Sequence, residues 1–306
     1  MSTVTVTGGA GFIGSHLVHA LLAKGDHVCV IDDFSTGRLS NLQDVLEHIE
    51  LVEGSILDEK SLARAVSNSE VIYHQAAQVS VPYSLENPQH TMQTNGEGTR
   101  RVLEAAARTD CRRVIYAGSS SCYGNVSNPI QTETDEIAPI SPYGIAKYQG
   151  EEHCHAIAAS GRLETVVLRY FNVFGPGQDP SSPYSAVIPK FIALILDGQQ
   201  PRIFGDGTQT RAFSHIDDVA PIIAKSPQLE DALNETFNIG ADKPYSVLEL
   251  ASEIARALDA PCNVKHLAAR NEVVHAFSDH SKVCLLYTSD AADEGLGVDL
   301  GGRRII

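Results

Sequence analysis

Tyr143 and Lys147, in the run Tyr143-Gly144-Ile145-Ala146-Lys147, put a phenol and an ammonium four positions apart, on one face of a helix. An isolated phenol titrates near pH ~10, but nearby positive charge favours the phenolate, and such a tyrosine can act as a general base on a hydroxyl. By itself this spacing is common on solvated helix faces. Ser119 adds to it, because it lies just past the carboxyl end of the apolar run Arg113-Val114-Ile115-Tyr116-Ala117-Gly118, where open α/β sheets bind ligands, and its hydroxyl can hold a reacting oxygen. The third component is a glycine cluster. Gly8, Gly11 and Gly14 fit one phosphate-turn spacing, and Gly9, Gly11 and Gly14 fit the other.

These groups require elements that position them. The β-branched run that stops at the glycine cluster reads as a strand, the glycines as a tight turn, and the apolar pattern that begins at Phe12 as a helix. That arrangement lets the backbone approach a pyrophosphate and aims first-turn N–H groups at it. The next strand, His27 to Ile31, ends at Asp32, where a carboxylate accepts ribose hydroxyls and repels a 2′-phosphate. Ile49–Gly54, Val71–His74, Arg113–Gly118 and Leu163–Tyr170 continue the strands. Helical patterns alternate with them around 57–66, over 91–108 with Val102, Leu103, Ala106 and Ala107 on one face, and from Tyr143 onward. This rhythm predicts right-handed crossovers and a doubly wound parallel sheet of the α/β class. Past Phe171 the alternation lapses into Pro- and Gly-rich loops, with a helix near 186–196 and short strands at 202–204 and 211–213.

Composition excludes several functions. The 306 residues carry 38 Asp and Glu against 23 Lys and Arg, a formal charge of −15, which opposes nucleic acid or an anionic membrane as a general partner. A hydrophobic content of 43% with 20% charged residues is that of a globular protein. The apolar run Phe191–Leu196 falls far short of the about 20 residues that span a bilayer, and the first strand leaves no room for a signal peptide. Cys29, Cys111, Cys122, Cys154, Cys262 and Cys284 lack any paired short spacing, so no metal site or disulfide framework is expected, and a reducing cytoplasm is the default. His153 and His155 diverge on a helix and read as surface or core residues.

Taken together, these motifs resemble the extended short-chain dehydrogenase/reductase family and, within it, nucleotide-sugar epimerases of the UDP-glucose 4-epimerase type. The resemblance runs from Val4 to Val283 through the glycine turn, His74-Gln75-Ala76-Ala77, Asn95, Ser119, Ser141-Pro142-Tyr143 with Lys147, Arg169-Tyr170-Phe171-Asn172, Gly205-Asp206-Gly207 with Arg211, and Ala269 to Val273. It implies a Rossmann domain over 1–170 and a smaller C-terminal α/β substrate domain over 171–283, part of which returns to the Rossmann sheet. It also implies a tightly held NAD that is reduced and reoxidised within each turnover. Tyr143 takes the proton of the sugar 4-hydroxyl, Lys147 binds the nicotinamide ribose and lowers the tyrosine pKa, and Ser119 orients the sugar oxygen. The implied cofactor contacts are Gly8, Gly11, Phe12, Ile13, Gly14, Asp32, Ser35, Thr36, Gly37, Ser55, Ile56, Gln75, Ala76, Ala77, Asn95, Tyr143, Lys147 and Phe171. Those for a UDP-sugar are Ser80, Ser119, Asn172, Val187, Phe204, Arg211 and Arg270. A homodimer through the helices at 91–108 and 143–158 is a further family expectation.

The serines following Ser119 sort the reactions of this family. Related dehydratases carry an Asp-Glu pair where Ser120 and Ser121 stand, and decarboxylases a Glu where Ser121 stands, so epimerisation is the expected reaction. A net oxidoreductase and a non-catalytic NAD-binding protein are the alternatives. The chain departs from the family pattern at Ser55, where an Asp usually contacts adenine, and at Tyr83, where close relatives have Arg. A bulky residue near the sugar's carbon 2 excludes an N-acetyl group, and counting along the chain leaves that position open between Ala276 and Phe277, with glucose, N-acetylglucosamine and glucuronate all admissible. From Cys284 the sequence resembles a translated sequencing adaptor, so residues 284–306 are expected to be a non-native tail that truncates the substrate domain.

Overall fold

The computed structural model describes residues 1–125, 128–182, 184–269, 273 and 275–285. In chain order the elements are β1 Thr3–Thr7, α1 Phe12–Ala23, β2 His27–Asp32, β3 Ile49–Glu53, α2 Glu59–Val66, β4 Val71–His74, α3 Val81–Glu86, α4 Pro88–Thr91, α5 Gly98–Ala106 and β5 Arg113–Ser119. They continue with β6 Ile130–Gln131, α6 Pro142–Ala159, β7 Glu164–Tyr170, β8 Val173–Phe174, α7 Val187–Leu196, β9 Arg202–Phe204, β10 Thr210–Ala212, β11 Ser214–His215 and α8 Ile216–Lys225. The last are β12 Thr236–Ile239, β13 Pro244–Ser246, α9 Val247–Ala257, β14 Lys265–Leu267 and β15 His275–Ser278.

The chain divides into two compact units. The first holds Met1–Gly124, Ile137–Tyr170 and Ile216–Phe237, and the second Asn125–Glu136, Phe171–His215 and Asn238–Ile306. This differs from a single cut at 170 in two places. Residues 125–136 join the second unit because β6 pairs with β15, and 216–237 return to the first because α8 packs on α1.

In the central sheet the strands run β3-β2-β1-β4-β5-β7-β12, with parallel pairing from β3 through β7. The order reverses direction between β1 and β4, the switch point where doubly wound sheets bind ligands. Val4, Val6, Val30 and Ile31 are buried, as strands covered on both faces require. On one side Ile72, Val102, Leu103, Val114, Ile157 and Val167 form a continuous apolar cluster, each fully buried aliphatic chain worth roughly 1.5–3 kcal/mol.

The helix expected over 91–108 is not uniform. Residues Met92–Glu97 form a π-helical turn between α4 and α5. Within this turn buried Asn95 binds the Gln78 backbone through both ends of its amide, accepting from N–H at 2.7 Å and donating to the carbonyl at 2.8 Å, while Thr99 Oγ1 donates to the Asn95 carbonyl at 2.6 Å. The seventh strand, β12, lies in the stretch past 171 of which a part is expected to return to the Rossmann sheet; its residues were not identified from the sequence.

In the second unit, Phe174, Ile188, Phe191, Ile203, Leu250 and Ile254 build a separate core. Its sheet runs β13-β10-β15-β6.

Candidate active site

α6 starts where the sequence places a stop and a start together. Ser141 Oγ accepts the Gly144 N–H at 3.1 Å as the N-cap, worth about 1 kcal/mol, and Pro142 occupies the first turn, where its missing N–H costs nothing. Tyr143 therefore sits in the first turn, half-buried. A Cβ on Gly144 would lie 2.5 Å from the Ser121 carbonyl oxygen, so glycine there lets the helix start close onto the segment after β5.

That close approach brings Ser119 beside the Tyr143 phenol, where the serine hydroxyl favours the phenolate. Ser119 Oγ also accepts the Ser121 N–H at 3.2 Å. Burial raises the Tyr143 phenol above its ordinary value, and the Ser119 hydroxyl opposes that rise. Lys147, one turn on, is buried. Its ammonium donates to the Ala117 carbonyl at 2.9 Å and lies 5.2 Å from the Tyr116 ring centroid, and burial lowers its pKa to about 8. In this geometry the Lys147 ammonium faces Ala117 and Tyr116, and the hydroxyl of Ser119 is what favours the phenolate.

The glycine turn has the shape a diphosphate needs. Gly8 has φ +68 and a Cβ there would meet the Ala76 backbone at 2.7 Å, while one on Gly14 would lie 2.1 Å from the Gly8 carbonyl oxygen. No side chain caps α1, which begins after Gly11, so its first-turn N–H groups at Phe12, Ile13 and Gly14 face no capping side chain. Asp32 is 7% exposed and accepts the N–H groups of Ala10 and Phe34, each at 2.8 Å. Burial pushes its carboxyl up. It ties the glycine turn to the loop that carries Ser35, Thr36 and Gly37, leaving oxygen lone pairs for ribose. Gln75 accepts from the Tyr170 hydroxyl at 3.2 Å, while its own amide nitrogen is buried without a partner among the described residues. A buried, unsatisfied donor beside Gly8 and Ala76 fits a bound dinucleotide, and so does the open glycine turn.

Other expected contacts separate. Asn95 uses its amide on Gln78, so it positions the 75–80 loop instead of presenting that amide to a ligand. Ile56 at 4% and Phe171 at 0% exposure are core side chains, so a cofactor would meet these two positions at the backbone. Ser55 Oγ accepts the Leu57 N–H, and Ala76 donates its N–H to Thr7. Ala77 is half-buried. Ser80 caps α3, accepting from Tyr83 N–H at 3.1 Å. In the second unit Asn172, at φ +42, donates its amide to the Ala212 carbonyl at 2.9 Å. Val187 opens α7, and Phe204 ends β9 half-buried. Arg211 on β10 donates to the carbonyls of Thr210 and Val273. Arg270 and residues 286–306 of the expected tail lie outside the described residues, among which no cluster of metal-ligating side chains occurs.

One polar chain was not read from the sequence. Thr99 Oγ1 gives its proton to the Asn95 carbonyl and so accepts from His74 Nε2–H at 2.9 Å. Thr7 Oγ1 accepts the Ala76 N–H and gives its own proton to His74 Nδ1 at 2.7 Å. His74 is thereby held neutral, and its burial lowers the pKa to about 3. A histidine ending an apolar strand was the available signal.

A family model described as the NAD dependent epimerase/dehydratase family matches residues 4–240. The putative UDP-glucose 4-epimerase of Methanocaldococcus jannaschii is 36% identical, over 99% of this chain and 97% of that protein. The structure of the UDP-N-acetylglucosamine 4-epimerase from Methanobrevibacter ruminantium, in complex with UDP-N-acetylmuramic acid, is 34% identical with a TM-score of 0.88, covering 93% of this chain and 91% of that one. The UDP-glucuronic acid 4-epimerase from Bacillus cereus, in complex with UDP-glucuronic acid and NAD, is 31% identical with a TM-score of 0.87, covering 94% and 93%. The glycine turn, the Ser119–Tyr143 pair and these likenesses lead to one conclusion: the chain belongs to the NAD dependent epimerase/dehydratase family.

Proposed function

We propose that the protein is a UDP-hexose 4-epimerase that works through a transient 4-keto sugar. The observation that supports this most is the placing of Ser119 where its hydroxyl favours the Tyr143 phenolate, with Lys147 one turn away and serines at 120 and 121 where a second acid–base pair would need carboxylates. Bound NAD supplies a hydride acceptor and donor. Tyr143 takes the 4-hydroxyl proton as carbon 4 gives up hydride, and Ser119 donates to the same oxygen. After the flat keto sugar turns over, Tyr143 returns the proton to the oxygen on the epimer. Lys147 is the cation that favours the phenolate once its ammonium turns toward the site, assisted by the positive nicotinamide ring. Asn172, Val187, Phe204 and Arg211 are the proposed uridine diphosphate contacts, an Arg fork suiting phosphate oxygens.

A second reading, a UDP-N-acetylhexosamine 4-epimerase, is favoured by strand register. β10 and β15 pair Thr210 with His275 and Arg211 with Ala276, and the Thr210 hydroxyl meets His275 Nδ1 at 2.8 Å. Alternation then puts Ala276 on the face of Arg211, and Phe277, paired with Ile130, on the other. A small residue beside the diphosphate-binding arginine leaves room at carbon 2. Purified protein given UDP-galactose, UDP-N-acetylglucosamine or UDP-glucuronate without added NAD tests the proposal. Interconversion without a rise at 340 nm supports it; stoichiometric NADH would establish a net oxidoreductase instead. The same reading includes a homodimer, checked by sedimentation, and a reducing cytoplasm.

A further inference from the structure

Arg169 lies on β7 with its side chain 4% exposed, facing Glu151 on α6 at 2%. Its Nε donates to Glu151 Oε2 at 3.0 Å and its Nη2 to Oε1 at 2.5 Å, a bidentate fork. The remaining Nη1 donates to the Tyr123 hydroxyl at 2.6 Å, and the guanidinium carbon stands 4.8 Å from the Tyr123 ring centroid. Tyr123 is fully buried, four positions after Ser119. Glu151 is four positions after Lys147 and eight after Tyr143, on the same helix. One planar group therefore ties the strand β7 to the helix bearing Tyr143 and Lys147 and to the segment that follows Ser119.

Stability alone does not explain such a group. Apolar residues of similar volume commonly replace a buried ion pair at no loss, because the pair must first be stripped of water. What the fork provides that apolar packing does not is a fixed distance and angle between three elements.

The geometry points to Arg169 as a positioning residue that, through Glu151 and Tyr123, sets how the segment after Ser119 lies against the helix bearing Tyr143. The catalytic consequence rests on the epimerase reading above; the positioning itself does not. Moving Ser119 away from Tyr143 removes the hydroxyl that favours the phenolate, so Tyr143 becomes harder to ionise.

The test uses the full chain labelled with 3-fluorotyrosine, whose lowered phenol pKa brings titration into a range the folded protein tolerates. The Tyr143 fluorine resonance is identified by its loss in Tyr143→Phe. The paired variant Arg169→Met/Glu151→Leu keeps the volume buried, and Tyr123→Phe removes one hydroxyl if the pair does not fold. Expected are an unchanged melting temperature in a folded variant, a Tyr143 midpoint raised by half a pH unit or more, and a fall in kcat of about tenfold or greater with KM within twofold. Arg169→Lys, which keeps the charge without the fork, is expected not to restore the midpoint. A Tyr143 midpoint and kcat equal to wild type in a folded variant would overturn the inference. Wild-type protein that turns over no UDP-sugar would instead remove the epimerase reading, and the fluorine titration would still decide the positioning role.

Discussion

Acid should destabilise this protein through His74 before the carboxylates that share ion pairs are protonated. His74 is 1% exposed, neutral, and locked between Thr7 and Thr99. Its pKa is about 3 in the fold against 6.5 for an ordinary histidine. The unfolded chain therefore binds a proton below pH 6.5 that the folded chain refuses until about 3, and stability rises with pH throughout that window. The contribution is fully present above 6.5 and is lost as the pH falls toward 3. At 1.36 kcal/mol per pH unit, going from neutral pH to 5 costs about 2 kcal/mol from this one residue, or a melting temperature lower by about 4 °C. His74→Gln, which cannot titrate, starts less stable at pH 7.5 because a buried hydrogen bond is imperfectly replaced, by about 1–3 kcal/mol. Melting temperatures of both proteins between pH 7.5 and 5.0 should therefore converge. Parallel curves, with wild type and variant losing the same number of degrees, would refute the claim that a buried neutral histidine dominates this window.

Gly14→Ala drives a methyl to within 2.1 Å of the Gly8 carbonyl oxygen, so the turn must open; a loss of about 1–3 kcal/mol in thermal stability and of measurable NAD binding by calorimetry is expected. Tyr143→Phe and Ser119→Ala should each lower kcat by about 10²–10⁴ with circular dichroism unchanged, since each removes one partner of the hydroxyl pair. Ala276→Tyr, on the face of Arg211, should abolish turnover of UDP-N-acetylglucosamine while sparing UDP-glucose, measured as kcat/KM for each; equal loss for both would show that position 276 does not face carbon 2.

His74 and Arg169 stand in runs that the sequence displays, but the partners that give them their roles are distant along the chain. By itself the sequence determined the glycine turn between β1 and α1, the alternation of strands and helices up to β7, and the helix start at Ser141-Pro142 that sets Tyr143 one turn before Lys147. These are matters of short-range geometry: alternation along a strand, periodicity along a helix, a cap three residues from its donor. Tertiary structure alone decided which residues past 171 return to the central sheet, that Asn95 in its π-turn grips Gln78, that Ile56 and Phe171 turn inward, and that Ala276 instead of Phe277 shares a face with Arg211. It also decided that Lys147 donates to Ala117 and that Arg169 meets Glu151. The physical reason is common to all of them: each depends on strand register or on a contact between residues distant along the chain, and those are fixed only when the elements pack.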